Sequence, residues 1–129
     1  MQTFKKGERL HKKREIERLF KSGHSFTLYP FRVMWLDTPP VHNAPPAHVL
    51  VAVSKRYDKR ATGRNKIKRR IKEAYRKNKH VFYDFLTGCK HHCNLCLVYI
   101  SRESHDYADI EKKIIQVLER LISEHKKNQ

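Results

Sequence analysis

Glycine is scarce in this 129-residue chain, with four residues, and cysteine is scarcer still, with three. So few glycines leave no Gly-rich loop to cradle phosphates. Three cysteines, an odd number clustered near Cys93, give no disulfide framework and fit a reducing compartment. No apolar run approaches the roughly 18 residues of a spanning helix. No apolar core follows the N-terminal MQTFKKGERL as it does in a signal peptide. A membrane span and a disulfide scaffold are thereby excluded, and a cytoplasmic chain is expected. Acidic residues are also few, 13 against 29 Lys and Arg, which leaves a net charge of +16. Such a surplus repels itself and calls for a polyanionic partner. Nucleic acid is the commonest such partner, and an anionic membrane surface is the rival. Hydrophobic residues make up 39%, enough for one core in a single domain over residues 1–129 if they are segregated onto faces.

The positive charge is concentrated in KRYDKRATGRNKIKRRIKEAYRKNK, Lys55 to Lys79, with thirteen Lys or Arg against Asp58 and Glu73. Ile67, Ile71, Ala74 and Tyr75 fall at i, i+4, i+7 and i+8, one helical face. Asn65, Arg69, Lys72 and Arg76 fall at i, i+4, i+7 and i+11 on the opposite side. One face can pack on a core while the other lines up cations at a rise of about 1.5 Å per residue, to match a phosphate backbone.

Around that helix the pattern is mixed. Met1 to Leu10 reads as a basic arm, in which Lys5, Lys6 and Arg9 offer a second phosphate contact. Ile16, Leu19 and Phe20 mark a short helix from Lys12 to Lys21, ended by SGHS. The aromatic and β-favouring run Phe26 to Leu36 predicts a strand, with Pro30 at an edge or bulge and room for an extra short strand near Phe26. Asp37 to Pro46 carries four prolines in ten residues and predicts a loop. His48 to Ser54 predicts a central strand, Gly63 to Lys79 the long helix, and Cys96 to Ser101 a third buried strand. A last helix from Asp106 to about Ser123 puts Ile110, Ile114, Val117, Leu118 and Leu121 on one face, and residues 124–129 read as a frayed tail. This order predicts an α+β protein, a two-layer sandwich of a small sheet with helices packed on it, αβββαβα-like.

Other constellations carry less. Cys89, Cys93 and Cys96 form C-x3-C-x2-C with His91 and His92 inside it, the spacing of a radical iron–sulfur motif or a partial zinc site. The first needs a far larger barrel. For the second, Cys96 opens an apolar strand, so core and loop–strand junction roles are favoured and no metal is assigned. The nine histidines form no Ser-His-Asp or Cys-His arrangement, and no catalytic residue is assigned to the protein. Phe31, Val33 and Trp35 alternate as sheet core. Taken without a family, Phe20 favours core packing over nucleic-acid contact.

Two separated motifs carry a family resemblance. VSKRYDKRATGRNKIKRRIKEAYR, Val53 to Arg76, resembles the bacterial ribonuclease P protein subunit, whose hallmark is an Arg-Asn-Arg-rich helix entered from a Val-Ser-Lys strand. RLHKKREIERLFKSGHSF, Arg9 to Phe26, is similar to that family's first helix and its Lys-x-Gly ending. The resemblance implies an α/β sandwich with a left-handed βαβ crossover, an exception to a strong handedness rule. It also implies a subunit of a ribonucleoprotein endonuclease that removes the 5′ leader of precursor tRNA. The catalytic RNA subunit would hold the active site and Mg²⁺. The protein would bind that RNA and hold the leader in a cleft between its first helix and the sheet.

Carried over by position, Arg64, Asn65, Lys68, Arg69 and Lys72 match the signature helix, with Arg76 following. Lys66 stands where the signature has Arg, which keeps the charge and loses the planar fork. Lys55 matches a basic position near the leader path, and Phe20 an aromatic of the leader cleft. Ile16 stands where an aromatic is common, and Met34 replaces another on the strand beside Trp35. Between VSK and the Arg-Asn pair the chain is about one residue longer than the family's usual spacing. For Asn65, RNA contact and capping of the helix backbone both stand open. The expected partners are ribonuclease P RNA and precursor tRNA, with no membrane and no DNA target. The alternative is a generic RNA-binding or ribosome-associated protein without an enzymatic role.

Overall fold

The computed structural model describes residues 6–127; Lys5 of the basic arm and residues 128–129 lie outside that range, and of Lys6 only the backbone is described. After a 3-10 turn at Lys6–Glu8 come α1 (Lys13–Ser22), β1 (His24–Leu28), β2 (Phe31–Thr38), β3 (Ala47–Val53), α2 (Ala61–Asn78), α3 (His80–Cys89), β4 (His92–Tyr99) and α4 (Tyr107–Lys127). The strands form one four-stranded sheet in the order β1-β2-β4-β3, so β3 lies at an edge and not at the centre expected for it. β1, β2 and β4 are antiparallel neighbours, and β3 runs parallel to β4. The α2–α3 segment is thus the crossover of a βαβ unit, and the mixed α+β sandwich is the one expected.

The register sets out two faces one residue apart. Trp35, Leu95 and Val49 lie side by side across β2, β4 and β3, as do Val33, Leu97 and Val51. This face is buried with Ile67, Ile71, Ala74 and Tyr75 of α2 and with Ile110, Ile114, Val117, Leu118 and Leu121 of α4 in one core. The apolar stripes expected for both helices are the ones that pack. On the reverse face, the row Met34, Cys96 and Leu50 meets α1 in a smaller cluster with Leu10 and Leu19.

Several boundaries differ from the sequence expectation. Phe26 to Leu36 is not one strand but a hairpin, β1 and β2 joined at Tyr29–Pro30, whose peptide bond is cis. Pro30 therefore sits in a turn, where its missing N–H costs no ladder bond. Asp37 and Thr38 belong to β2 and not to the proline loop, and β4 begins at His92 rather than Cys96. The polar-looking His92, Cys93 and Asn94 are all buried strand residues. Helix α3 has no counterpart among the expected elements. Residues 124–127 continue α4 instead of fraying, because His125 is buried and its ring stacks on Trp35 with centroids 4.1 Å apart.

Candidate RNA-binding site

Helix α2 opens after the turn at 55–60, which Asp58 shapes. Its carboxylate accepts from the backbone N–H of Arg60 at 2.9 Å and pairs with the Arg60 guanidinium at 3.3 Å. Those hydrogen bonds, with the neighbouring Arg60 and Arg64 charges, hold the Asp58 carboxyl below its usual range. Gly63 leaves room for this arrangement, because a Cβ would come within 1.8 Å of the Asp58 carboxylate and displace it. Arg64 Nη1 donates to the carbonyls of Asp58 at 3.0 Å and Lys59 at 2.7 Å, tying the turn to the helix.

Not every cation of the stripe is presented to solvent in the same way. Arg76 donates through Nε to Glu73 Oε2 at 3.0 Å, and Arg70 donates to the carbonyl of His105 at 2.8 Å. Lys79 is buried with Glu8, which also accepts from Tyr83 at 2.7 Å. What remains is compact: Asn65, Lys66, Lys68, Arg69 and Lys72, with Thr62, line a shallow groove. Asn65, Lys66 and Arg69 are exposed. The helix starts at Ala61 after Arg60, so Asn65 lies inside it, and its side chain makes no hydrogen bond among the described residues. Capping of the helix start is not its role. Lys55 is exposed in the turn between β3 and α2.

Arg9 joins this set. Arg9 bridges to Val49, and the Leu10 N–H donates to the Val49 carbonyl at 2.9 Å, so the N-terminal segment runs along the free edge of β3. Partial burial, and then the charges of Arg9 and Lys68, push the Lys72 ammonium below its ordinary value. Like charges held this close cost folding energy that a phosphate placed among them returns.

The three residues expected in a leader cleft lie on the other sheet face. Phe20 projects from α1 with 52% of its surface exposed, while Leu19 is the α1 residue that enters the core. Core packing, favoured for Phe20 from the sequence alone, is therefore incorrect, since neighbouring positions on a helix point about 100° apart. Ile16 is half-buried against the small cluster. Met34, 9% exposed, is part of the floor rather than a stacking platform. Leu50, Ala52 and Val98 are half-exposed on the same face, with Arg32 exposed beside them, and form the open part of the floor.

Beyond the N-terminal end of α1 the face deepens into a cleft of about 320 Å³, lined by Arg9, Lys12, Glu15, Arg18, His48 and His92 among others. His48 Nδ1 and His92 Nε2 lie 2.8 Å apart, and Asn94 donates to Glu15 at 3.0 Å. Burial, followed by Lys12 for His48 and by His48 for His92, pushes both imidazoles below their ordinary value. No spacing in the sequence pairs these residues; only the parallel register of β3 and β4 does.

Comparisons with known proteins bear on the fold and the family. The family model for Ribonuclease P matches residues 4–122. The ribonuclease P protein component of Porphyromonas gingivalis is 34% identical over 116 residues, covering 90% of this chain and 84% of that protein. That of Petrotoga mobilis is 31% identical over 130 residues, covering 93% and 96%. The solved RNase P protein from Thermotoga maritima has a TM-score of 0.68 at 24% identity and covers 88% of this chain and 96% of its own. The Staphylococcus aureus protein also gives 0.68, at 22% identity, covering 88% and 94%. The structural likenesses carry the fold, and the sequence relatives carry the kinship. On the family model and the sequence relatives, the chain belongs to the ribonuclease P protein component family, the protein part of a ribonucleoprotein whose catalytic role lies in its RNA.

Proposed function

We propose that this chain binds the catalytic RNA of ribonuclease P through α2 and holds the 5′ leader of precursor tRNA across the α1 face of the sheet. The observation that carries this reading is the separation of two surfaces. Cations that the fold leaves uncommitted gather on α2, and an exposed aromatic with an open apolar floor lies on the opposite face. Asn65, Lys66, Lys68, Arg69 and Lys72 would contact phosphates and sugars of the RNA subunit, with Lys55 at the entry. Arg64 and Arg76 serve the helix and its turn first, and add charge to the field. Backbone contacts position RNA without reading its sequence. Phe20 offers a base-stacking surface beside Ile16 and Met34, which suits leaders of differing sequence.

The chemistry of such an enzyme resides in RNA-held Mg²⁺, and no side chain here is asked to act as acid, base or nucleophile. No described helix is long and apolar enough to cross a membrane. The test is cleavage of a 5′-extended precursor tRNA by the cognate catalytic RNA at low Mg²⁺, with and without the protein. Stimulated cleavage at the mature 5′ end, absent with protein alone, is expected. Tight RNA binding without stimulation would remove the proposal in favour of a generic RNA-binding domain.

A further inference from the structure

The cysteines and histidines that the RNA-binding reading leaves unused are rearranged by the fold. Cys93 and Cys96 lie three residues apart on one strand, so they face opposite sides of the sheet, Cys93 in the main core and Cys96 under α1. The C-x3-C-x2-C spacing therefore cannot converge on one ion. Another set does converge. The β2–β4 register places Asp37 directly across from Cys93, and the last turns of α4 bring His125 onto the same face. A carboxylate oxygen of Asp37, Cys93 Sγ and a ring nitrogen of His125 all lie within 4.8 Å of one another.

We propose that Asp37, Cys93 and His125 form a divalent transition-metal site, zinc by the chemistry of its donors, that fastens the end of α4 to the β2–β4 edge of the core. His125 Nδ1 is 2.8 Å from the Leu121 carbonyl, so it carries the ring proton and donates it there. In the neutral ring Nε2 is then a bare lone pair, and it faces Asp37 Oδ1 at 2.7 Å. Both atoms are fully buried, and among the described residues neither has a hydrogen-bond partner other than what lies between them. Two acceptors this close require a positive centre between them. A proton on Nε2 would instead make this contact a buried imidazolium–carboxylate pair, the one rival to an ion.

The surroundings suit an ion. An imidazole fixed by its other nitrogen on a backbone carbonyl, and a ligating carboxylate itself held by a further donor, are the usual outer partners of a zinc site. Here these are the Leu121 carbonyl and His91, whose Nδ1 lies 3.3 Å from Asp37 Oδ2. Trp35 stacks on the His125 ring, and Phe82 and Phe85 meet it edge-on at 5.9 Å and 6.1 Å, an apolar wall. One carboxylate and one thiolate neutralise a divalent ion, so the loaded site has no net charge to bury; the thiol proton leaves to solvent on binding. Asp37 and His91 are each about one-third exposed, which gives the ion its route in and leaves a fourth position on that side. Zinc–ligand bonds of about 2.0–2.1 Å ask Nε2 and Oδ1 to part by roughly 0.6 Å, within the reach of a carboxylate rotation.

The test uses the full-length protein stripped by chelation and titrated with Co²⁺. The site predicts one equivalent bound, tetrahedral visible bands and a thiolate-to-cobalt charge-transfer band, all displaced by Zn²⁺. It predicts loss of the charge-transfer band in Cys93→Ser and its retention in Cys89→Ser and Cys96→Ser. The wild-type titration stands without any variant folding. Absence of the thiolate band from the wild type would overturn the site, and so would its loss in Cys89→Ser with retention in Cys93→Ser. An NMR spectrum of the stripped protein with both His125 nitrogens protonated, unchanged by Zn²⁺, would replace the metal with a buried imidazolium–carboxylate pair.

Discussion

On one face of the sheet Trp35, Leu95 and Val49 lie in a row beneath α2 and α4, and all three are buried. One residue along each strand, the rows Met34, Cys96, Leu50 and Arg32, Val98, Ala52 meet, among the described residues, α1 and Leu10 of the segment before it, which leaves Leu50, Val98 and Ala52 half-exposed. The same strands thus build a closed core on one side and an open apolar floor on the other. A solvated apolar floor with an exposed aromatic at its rim gives up burial that the fold could have used, and the proposed leader binding would account for it. Helix α2 shows the same division within a single element, with Ile67, Ile71, Ala74 and Tyr75 inward and Lys66 and Arg69 outward. Under the proposed function, stability and RNA recognition would be carried by side chains that barely overlap.

Substitutions on the closed face give the largest effect. Ile71→Ala should cost about 2–5 kcal/mol in denaturant unfolding, because a fully buried branched side chain leaves a cavity. Its folded fraction should still bind RNA with an unchanged salt slope. On the open face the balance inverts. Phe20→Ala should alter stability by no more than about 0.5 kcal/mol. It should weaken binding of leader-bearing precursor by about 1–3 kcal/mol if one base stacks there, as measured by holoenzyme binding.

Smaller and more specific effects lie on the outer side of α2. Replacing Arg69 and Lys72 together by Ala should lower the slope of log K against log salt by roughly 1.4, at about 0.7 per single-strand phosphate contact. An unchanged slope would place the RNA elsewhere. The smallest effect is electrostatic. Lys72 is pushed down by partial burial and then by Arg9 and Lys68, so folding is opposed while Lys72 is protonated, and that opposition fades as pH rises through its lowered pKa. Arg9→Gln should move Lys72 back up toward 10.5, as read from NMR titration of its Nζ, and added RNA should move it in the same direction.

Legibility from the sequence followed the same division. α2 was readable because amphipathic periodicity and charge point one way over five turns. The extra short strand near Phe26 was allowed for, but its turn was not placed, since Tyr29–Pro30 inside an apolar run reads as an edge feature until the register shows two strands. Helix α3 carried a signal in Phe82, Phe85 and Leu86 at i, i+3 and i+4, masked by the polar stretch before it. His92 to Asn94 look like loop and are buried strand, because Cys93 faces the main core while His92 and Asn94 turn to the cleft beside α1. Which cations stay uncommitted is a tertiary property: Arg64, Arg70 and Arg76 read like Arg69 in the sequence and differ only in the oxygen each one reaches. Asp37, Cys93 and His125 are separated by 56 and 32 positions and meet only through register and the length of α4.

The most direct measurement of the two-surface account is the affinity ratio of holoenzyme for 5′-extended over leaderless tRNA, compared between Phe20→Ala and Arg69→Ala/Lys72→Ala. The account predicts that the ratio falls toward one in Phe20→Ala while assembly with the catalytic RNA is intact. In the double variant assembly weakens and the ratio of the assembled enzyme is kept. A ratio lost through the α2 substitutions and kept without Phe20 would contradict it.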